Sequence, residues 1–164
     1  MKTMPTNLAF ATLPKSARER MERACGLRKR ESEHRVFVYG TLLTGECNAR
    51  FAGRARRQKA WVAGTLHDTG HGFPAFVNRG RTHVKGEVLT VGDDGLRSMD
   101  RLEGCPHLYR REQIRARLVG GGCVLAWVYI MNRLADGAPV IESGDWVAYR
   151  KAGYANPPKT DGRR

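Results

Sequence analysis

"VFVYGTLLTGECN", Val36 to Asn48, decides how the rest of the chain is read. Four β-type residues, Val36-Phe37-Val38-Tyr39, stop at Gly40 and Thr41. The chain then resumes with Leu42 and Leu43 and meets a second glycine at Gly45. A strand that ends in Gly-Thr has reached a corner, because glycine takes positive φ without a Cβ clash. Consecutive N–H groups at such a corner can converge on an anion. A tight bend at a barrel corner needs the same residues, so the corner alone does not decide function.

Outward from this stretch the hydrophobic period is mostly two. "AWVAGTLHD" (60–68) is rich in Val, Thr and Trp, and "HVKGEVLTV" (83–91) alternates. "EQIRARLV" sets Ile114, Ala116 and Leu118 against Arg115 and Arg117. Gly120-Gly121-Gly122 then turns the chain into "CVLAWVYIM" (123–131), which predicts a hairpin. One clear helix interrupts the strands, "GDDGLRSMDRLEG". There Asp93 or Asp94 is the expected cap, Leu96, Met99 and Leu102 line one side, and Gly104 stops it. Many short strands with one or two helices predict an α+β fold, a small mixed, mostly antiparallel β-barrel with flanking helices.

The barrel accounts for residues 35–149. Residues 1–34 read as a basic extension, partly helical, with Ser16 and Glu19 at capping-box spacing and a thin apolar stripe ended by Gly26. Residues 150–164 contain adjacent prolines and no periodicity, and read as a basic, poorly ordered tail. The formal charge of +13 is concentrated accordingly, with +8 in the two ends. Within the body, "RFAGRARRQK" carries Arg50, Arg54, Arg56, Arg57 and Lys59 and no acid. Such charge is either a solvated surface or an electrostatic footprint for a polyanion.

No apolar run approaches the ~20 residues that cross a bilayer, and the start of the chain does not read as a secretory signal. Four widely spaced cysteines without a C-x-x-C pair fit reduced thiols and a cytoplasmic protein. His67 and His71 in "HDTGHG" lie four apart, but on a strand-to-loop segment rather than a helix, so no metal site is expected. Cys105 and His107 read as rim residues rather than a thiol–imidazole pair.

A second stretch, "MDRLEGCPHLYRRE", holds the candidate chemistry. Glu103 ends the helix among small and apolar neighbours. Facing inward it would lose water, gain pKa and become a usable acid/base; facing outward it would be an ordinary terminal glutamate. Tyr109 and Arg111 fall on one side of the strand that comes next, able to hold a carboxylate or simply to cover the rim.

Taken together, these segments resemble the γ-glutamylcyclotransferase-like enzymes. "VFVYGTLLTGECN", "GTLHDTGHGFPAFV", "VKGEVLTVGDDGLRSMDRLEG", "LYRREQI", "AWVYI" and "IESGDW" come in that family's order across residues 35–149. The likeness is closest to the γ-glutamylamine cyclotransferase branch and its small bacterial relatives. The resemblance implies that Tyr39-Gly40-Thr41-Leu42 holds the α-carboxylate and carbonyl of a γ-glutamyl group through backbone amides. It further implies that Glu103 is the acid/base, that Tyr109 lines the pocket, and that no metal or cofactor is needed. Asn48 is placed to brace the corner, and Phe73-Pro74 matches an aromatic-Pro step beside the pocket. The expected reaction turns a γ-glutamyl amine or peptide into 5-oxoproline and free amine, in a monomer or small homo-oligomer. The competing expectation is a non-catalytic barrel whose basic ends engage nucleic acid or another acidic partner.

Overall fold

The computed structural model describes residues 32–155 together with Pro14, Ser16, Ala17 and Arg20. The chain divides into two compact units, 1–32 and 33–164. The expected N-terminal helix lies almost wholly outside the described residues, as does the tail beyond residue 155.

Five strands, all within the second unit, close into a barrel: β1 (His34–Val38), β2 (Arg56–Asp68), β3 (Pro74–Val91), β4 (Tyr109–Leu118) and β5 (Cys123–Met131). Their order around the barrel is β1-β3-β2-β4-β5, and closure comes from a parallel pairing of β1 with β5 through Val36–Trp127 and Phe37–Val128. Every other pairing is antiparallel, so the barrel is mixed. Closure gives each of the five strands a neighbour on both sides, which limits the exposed sheet edge. Two helices accompany it, α1 (Asp93–Leu102) between β3 and β4 and α2 (Trp146–Ala155) after β5.

Strand alternation sorts the apolar residues into two cores. Phe37, Val62, Leu66, Phe76, Val88 and Val128 pack in one, inside the barrel. Val36, Val38, Leu89, Tyr109 and Tyr129 turn the other way and pack against Leu96 and Met99 of α1. The run Val36-Phe37-Val38 is therefore buried on both faces, as its unbroken apolar character requires. Gly86 of β3 is fixed by close approach, since a Cβ there would lie 2.2 Å from the carbonyl oxygen of Val38 and 2.5 Å from the Phe37 ring.

Three details depart from the sequence expectations. The N-cap of α1 is Gly92, without a side-chain cap bond, and Asp93 and Asp94 instead occupy the first turn, where the helix N-terminus favours negative charge. β3 begins at Pro74, because Pro74–Val77 pairs with Thr65–Asp68 at the end of β2, beyond a register shift at Gly64/Thr65. The expected break after residue 149 falls inside α2. That helix is held by buried Trp146 and by the Tyr149 hydroxyl, which donates to Asp68 Oδ2 at 2.9 Å. The glycine-turned hairpin between β4 and β5 is as expected, with Arg117 opposite Cys123. No helix among the described residues is long and apolar enough to cross a membrane.

Candidate active site

The corner after β1 is a hydrogen-bonded β-turn. Leu43 N–H donates to the Gly40 carbonyl at 3.0 Å, which leaves Thr41 and Leu42 as its central residues. Asn48 closes the corner from its far end, with its backbone N–H on the Thr41 carbonyl and its Nδ2 on Thr41 Oγ1, both at 3.0 Å. Among the described residues no acceptor pairs with the N–H groups of Gly40, Thr41 or Leu42. Pro74 lies so close to Gly40 that a Cβ there would sit 2.9 Å from its ring carbons.

Against this corner stands the end of α1. Leu96 and Met99 anchor the helix in the outer core, and Glu103, at its C-cap, donates its backbone N–H to the Met99 carbonyl at 2.9 Å. Gly104 comes next at φ +58° and turns the chain away. Between corner and helix end lies a cavity of about 250 Å³. It is smaller than the roughly 300–1,000 Å³ of pockets for drug-sized ligands, and suits a single amino-acid-sized group.

The cavity takes in every expected site residue except one. Tyr39, Gly40, Thr41, Leu42, Asn48, Phe73, Pro74, Glu103 and Tyr109 all line it. Arg111 does not. It lies on the same side of β4 as Tyr109, but its Nε is 3.2 Å from Asp100 Oδ1 and its guanidinium stacks over the Trp127 ring at 5.2 Å. That pairing corrects its expected place in the pocket. Cys105 and His107 also stay off the cavity wall, and His67 is hydrogen-bonded through Nδ1 with the Ala138 carbonyl at 2.9 Å.

Electrostatics single out Glu103. Its carboxyl has no hydrogen-bond or ion-pair partner among the described residues, and loss of water pushes its pKa from 4.5 up to about 7. A carboxyl in that range exchanges protons readily at neutral pH. Three tyrosines surround it. Burial, reinforced by the Glu103 charge, raises the phenols of Tyr39 and Tyr109, so both stay protonated. Burial also raises Tyr129, with its bond to Asp100 adding to the effect. Two of the three hydroxyls are already committed: Tyr39 donates to the Tyr129 carbonyl at 2.7 Å, and Tyr129 donates to Asp100 Oδ1 at 2.8 Å. Tyr109 has no such partner among the described residues, so its hydroxyl is the one left for a ligand.

Sequence reading missed Phe37, Val38, Leu102, Leu108 and Tyr129, which complete the lining. For Tyr129 a signal existed, since alternation in "AWVYIM" places it opposite Val128 and Ile130. It also missed that Arg57 and Glu87 grip the corner from behind.

A small mixed barrel with one unpaired, desolvated carboxyl sharing a cavity with a corner of open backbone donors has the make-up of an acid/base site. The chain belongs to the γ-glutamyl cyclotransferase, AIG2-like family, whose model matches residues 36–148. The γ-L-glutamyl-butirosin B γ-glutamyl cyclotransferase of Niallia circulans is 34% identical over 123 residues, 70% of this chain and 76% of that protein. The γ-glutamylaminecyclotransferase of Bos taurus is 38% identical over 101 residues, 52% and 57% of the two chains. Among solved structures, a mouse AIG2-like protein superposes with a TM-score of 0.60 at 28% identity, over 68% of this chain and 88% of that one. Family membership places the chain among γ-glutamylcyclotransferase-type enzymes.

Proposed function

We propose that the protein converts a γ-glutamyl amine or peptide to 5-oxoproline and the free amine, as a lyase, with Glu103 as the single acid/base. The observation that carries this reading is the partnerless Glu103 carboxyl sharing a small cavity with the open N–H groups of Gly40 to Leu42. In the substrate, the α-amine and the γ-carbonyl belong to one molecule. Holding a tethered pair in the reactive geometry supplies ~7–11 kcal/mol of the barrier. Ionised Glu103 takes a proton from the α-ammonium, and the freed amine attacks the γ-carbonyl carbon. The new C–N bond closes the five-membered lactam. As the old C–N bond breaks, Glu103 gives its proton to the leaving nitrogen; the freed carboxylate then takes the second proton from the ring nitrogen and passes it to the departing amine, which leaves as its ammonium, so the carboxylate is regenerated.

The remaining residues fit parts of this sequence. The N–H groups of the corner hold the α-carboxylate and the oxygen that becomes negative during attack, where donors act most strongly. Tyr109 offers its uncommitted hydroxyl to the same region. Leu102, Leu108, Phe73 and Pro74 form an apolar wall for the leaving side. No step changes an oxidation state, and the proton transfers fall to Glu103. The test is Glu103→Gln, given a panel of γ-glutamyl amides with 5-oxoproline followed directly. Turnover by the parent and a loss of ~10²–10⁴-fold in the variant are expected. A variant that keeps pace with an active parent removes Glu103 from the mechanism.

A further inference from the structure

The corner that carries Gly40 to Leu42 is tied to the barrel by one ion pair. Arg57 of β2 donates from Nη1 to the Leu42 carbonyl at 3.0 Å and to Glu87 Oε2 at 2.7 Å, and from Nη2 to the Ala49 carbonyl at 3.1 Å. Glu87 of β3 accepts at that same Oε2 from the backbone N–H and the hydroxyl of Thr44, at 3.2 and 3.0 Å. Both side chains are largely enclosed, 21% and 14% exposed. Two groups on adjacent strands thus grip the corner at Leu42, Thr44 and Ala49. A planar guanidinium reaches three acceptors at once, which the point charge of a lysine cannot.

Other ties act elsewhere. Asn48 joins the two ends of the corner to each other, and Arg150 of α2 bonds Glu46 at 2.7 Å. Asn48 bonds Thr41 from within the corner, whereas among the described residues the Arg57 side chain bonds the β-turn, at the Leu42 carbonyl, from a barrel strand. Holding the Leu42 carbonyl fixes the last peptide of that turn, and the Leu43 N–H bond to Gly40 transmits the constraint to its start. Neither Arg57 nor Glu87 lines the cavity, so any influence on catalysis passes through the corner.

We propose that Arg57 and Glu87 are positioning residues for the reaction: they preset the direction of the corner's N–H donors before substrate arrives. This rests on the function proposed above. Preset donors need no reorganisation when charge develops, which is where such groups gain their effect. Small displacements of a binding group cost up to ~10²-fold in rate.

The test compares full-length parent, Arg57→Lys and Arg57→Met/Glu87→Gln, the last removing both charges so that neither is left buried alone. Readouts are kcat/KM from 5-oxoproline formation, its pH profile, and backbone amide exchange over residues 40–49. Lysine should lower kcat/KM roughly 10-fold and the double change roughly 100-fold. The pH profile should stay in place, because Glu103 keeps its surroundings. Exchange should rise in residues 40–49 of the double variant while β2 to β5 stay protected. An active parent with an equally active double variant overturns this inference alone. Faster exchange throughout the barrel also overturns it, since the pair would then be a general support. A parent that turns over no γ-glutamyl amide instead removes the function on which the inference rests, whatever exchange over residues 40–49 shows.

Discussion

Replacing Glu103 by glutamine should stabilise the protein, and by an amount that depends on pH. In the folded chain the carboxyl titrates near 7, against 4.5 in water, because the cavity withholds solvent from its charged form. A raised carboxyl pKa means that the folded state binds more protons than the unfolded state between those two values, so stability falls as pH rises through the window. Below about 4.5 the group is neutral in both states and costs nothing. Above about 7 the full cost is present: the gap of about 2.5 pH units, at ~1.36 kcal/mol each, is about 3 kcal/mol. Glutamine has nearly the same shape and no charge, so the variant should match the parent near pH 4.5 and exceed it by about 3 kcal/mol at pH 8.5. Urea unfolding reads this as a midpoint shift of roughly 1–3 M. In a thermal scan it corresponds to about 6–12 °C for a chain of this size. A difference between the two proteins that is the same at both pH values would refute the reasoning, because it would show that Glu103 is hydrated when folded.

The same geometry dictates two further outcomes. The kcat/KM profile should lose activity on the acid side with a midpoint near 7, the ionisation of Glu103, and an acid limb near 4.5 would contradict the desolvated site. Gly86→Ala should destabilise by ~3 kcal/mol or more, measured by denaturant titration, since its Cβ would overlap the Val38 carbonyl and the Phe37 ring on the rigid β1–β3 ladder.

Much of the architecture was legible because it is set by local periodicity. Alternation marks Ile114 and Ala116 as interior, the glycine run at 120–122 turns the hairpin, and Leu96 and Met99 mark the buried side of α1. What escaped was decided by partners distant in sequence. The alternating pattern marks a strand only from residue 83, yet β3 begins at Pro74 because Thr65–Asp68 of β2 offers Pro74–Val77 a ladder. The start of the tail is helical because Trp146 has a barrel core to enter and Tyr149 has Asp68 to bond. Arg111 was placed on the right side of β4, but nothing local reveals that Asp100 comes within 3.2 Å of it. Arg57 and Glu87 lie 30 residues apart and meet only through the pairing of β2 with β3, so a surface cluster of arginines concealed one member with a structural task.

Among the described residues, the site stands out physically as the place where several unsatisfied polar groups gather, whereas the buried Trp146 Nε1 elsewhere is a single donor. Elsewhere the half-buried acids find partners: Glu87 holds Arg57, Glu46 holds Arg150, and Asp100 takes both Arg111 and Tyr129. At the cavity the pattern reverses. A carboxyl without a partner, three N–H groups without acceptors and one tyrosine hydroxyl without a bond gather, among the described residues, around a space sized for an amino acid. Buried polar groups left open cost stability unless something fills them. Folding alone would favour closing such a gap, and the neighbouring core shows that the chain has the side chains to do it. Behind the corner lies the Arg57–Glu87 ion pair, and in front lies the helix end anchored by Leu96 and Met99. A ligand bearing an anion for the amides and an ammonium for the carboxylate would satisfy all of these groups at once, and a γ-glutamyl group carries both on its α-carbon.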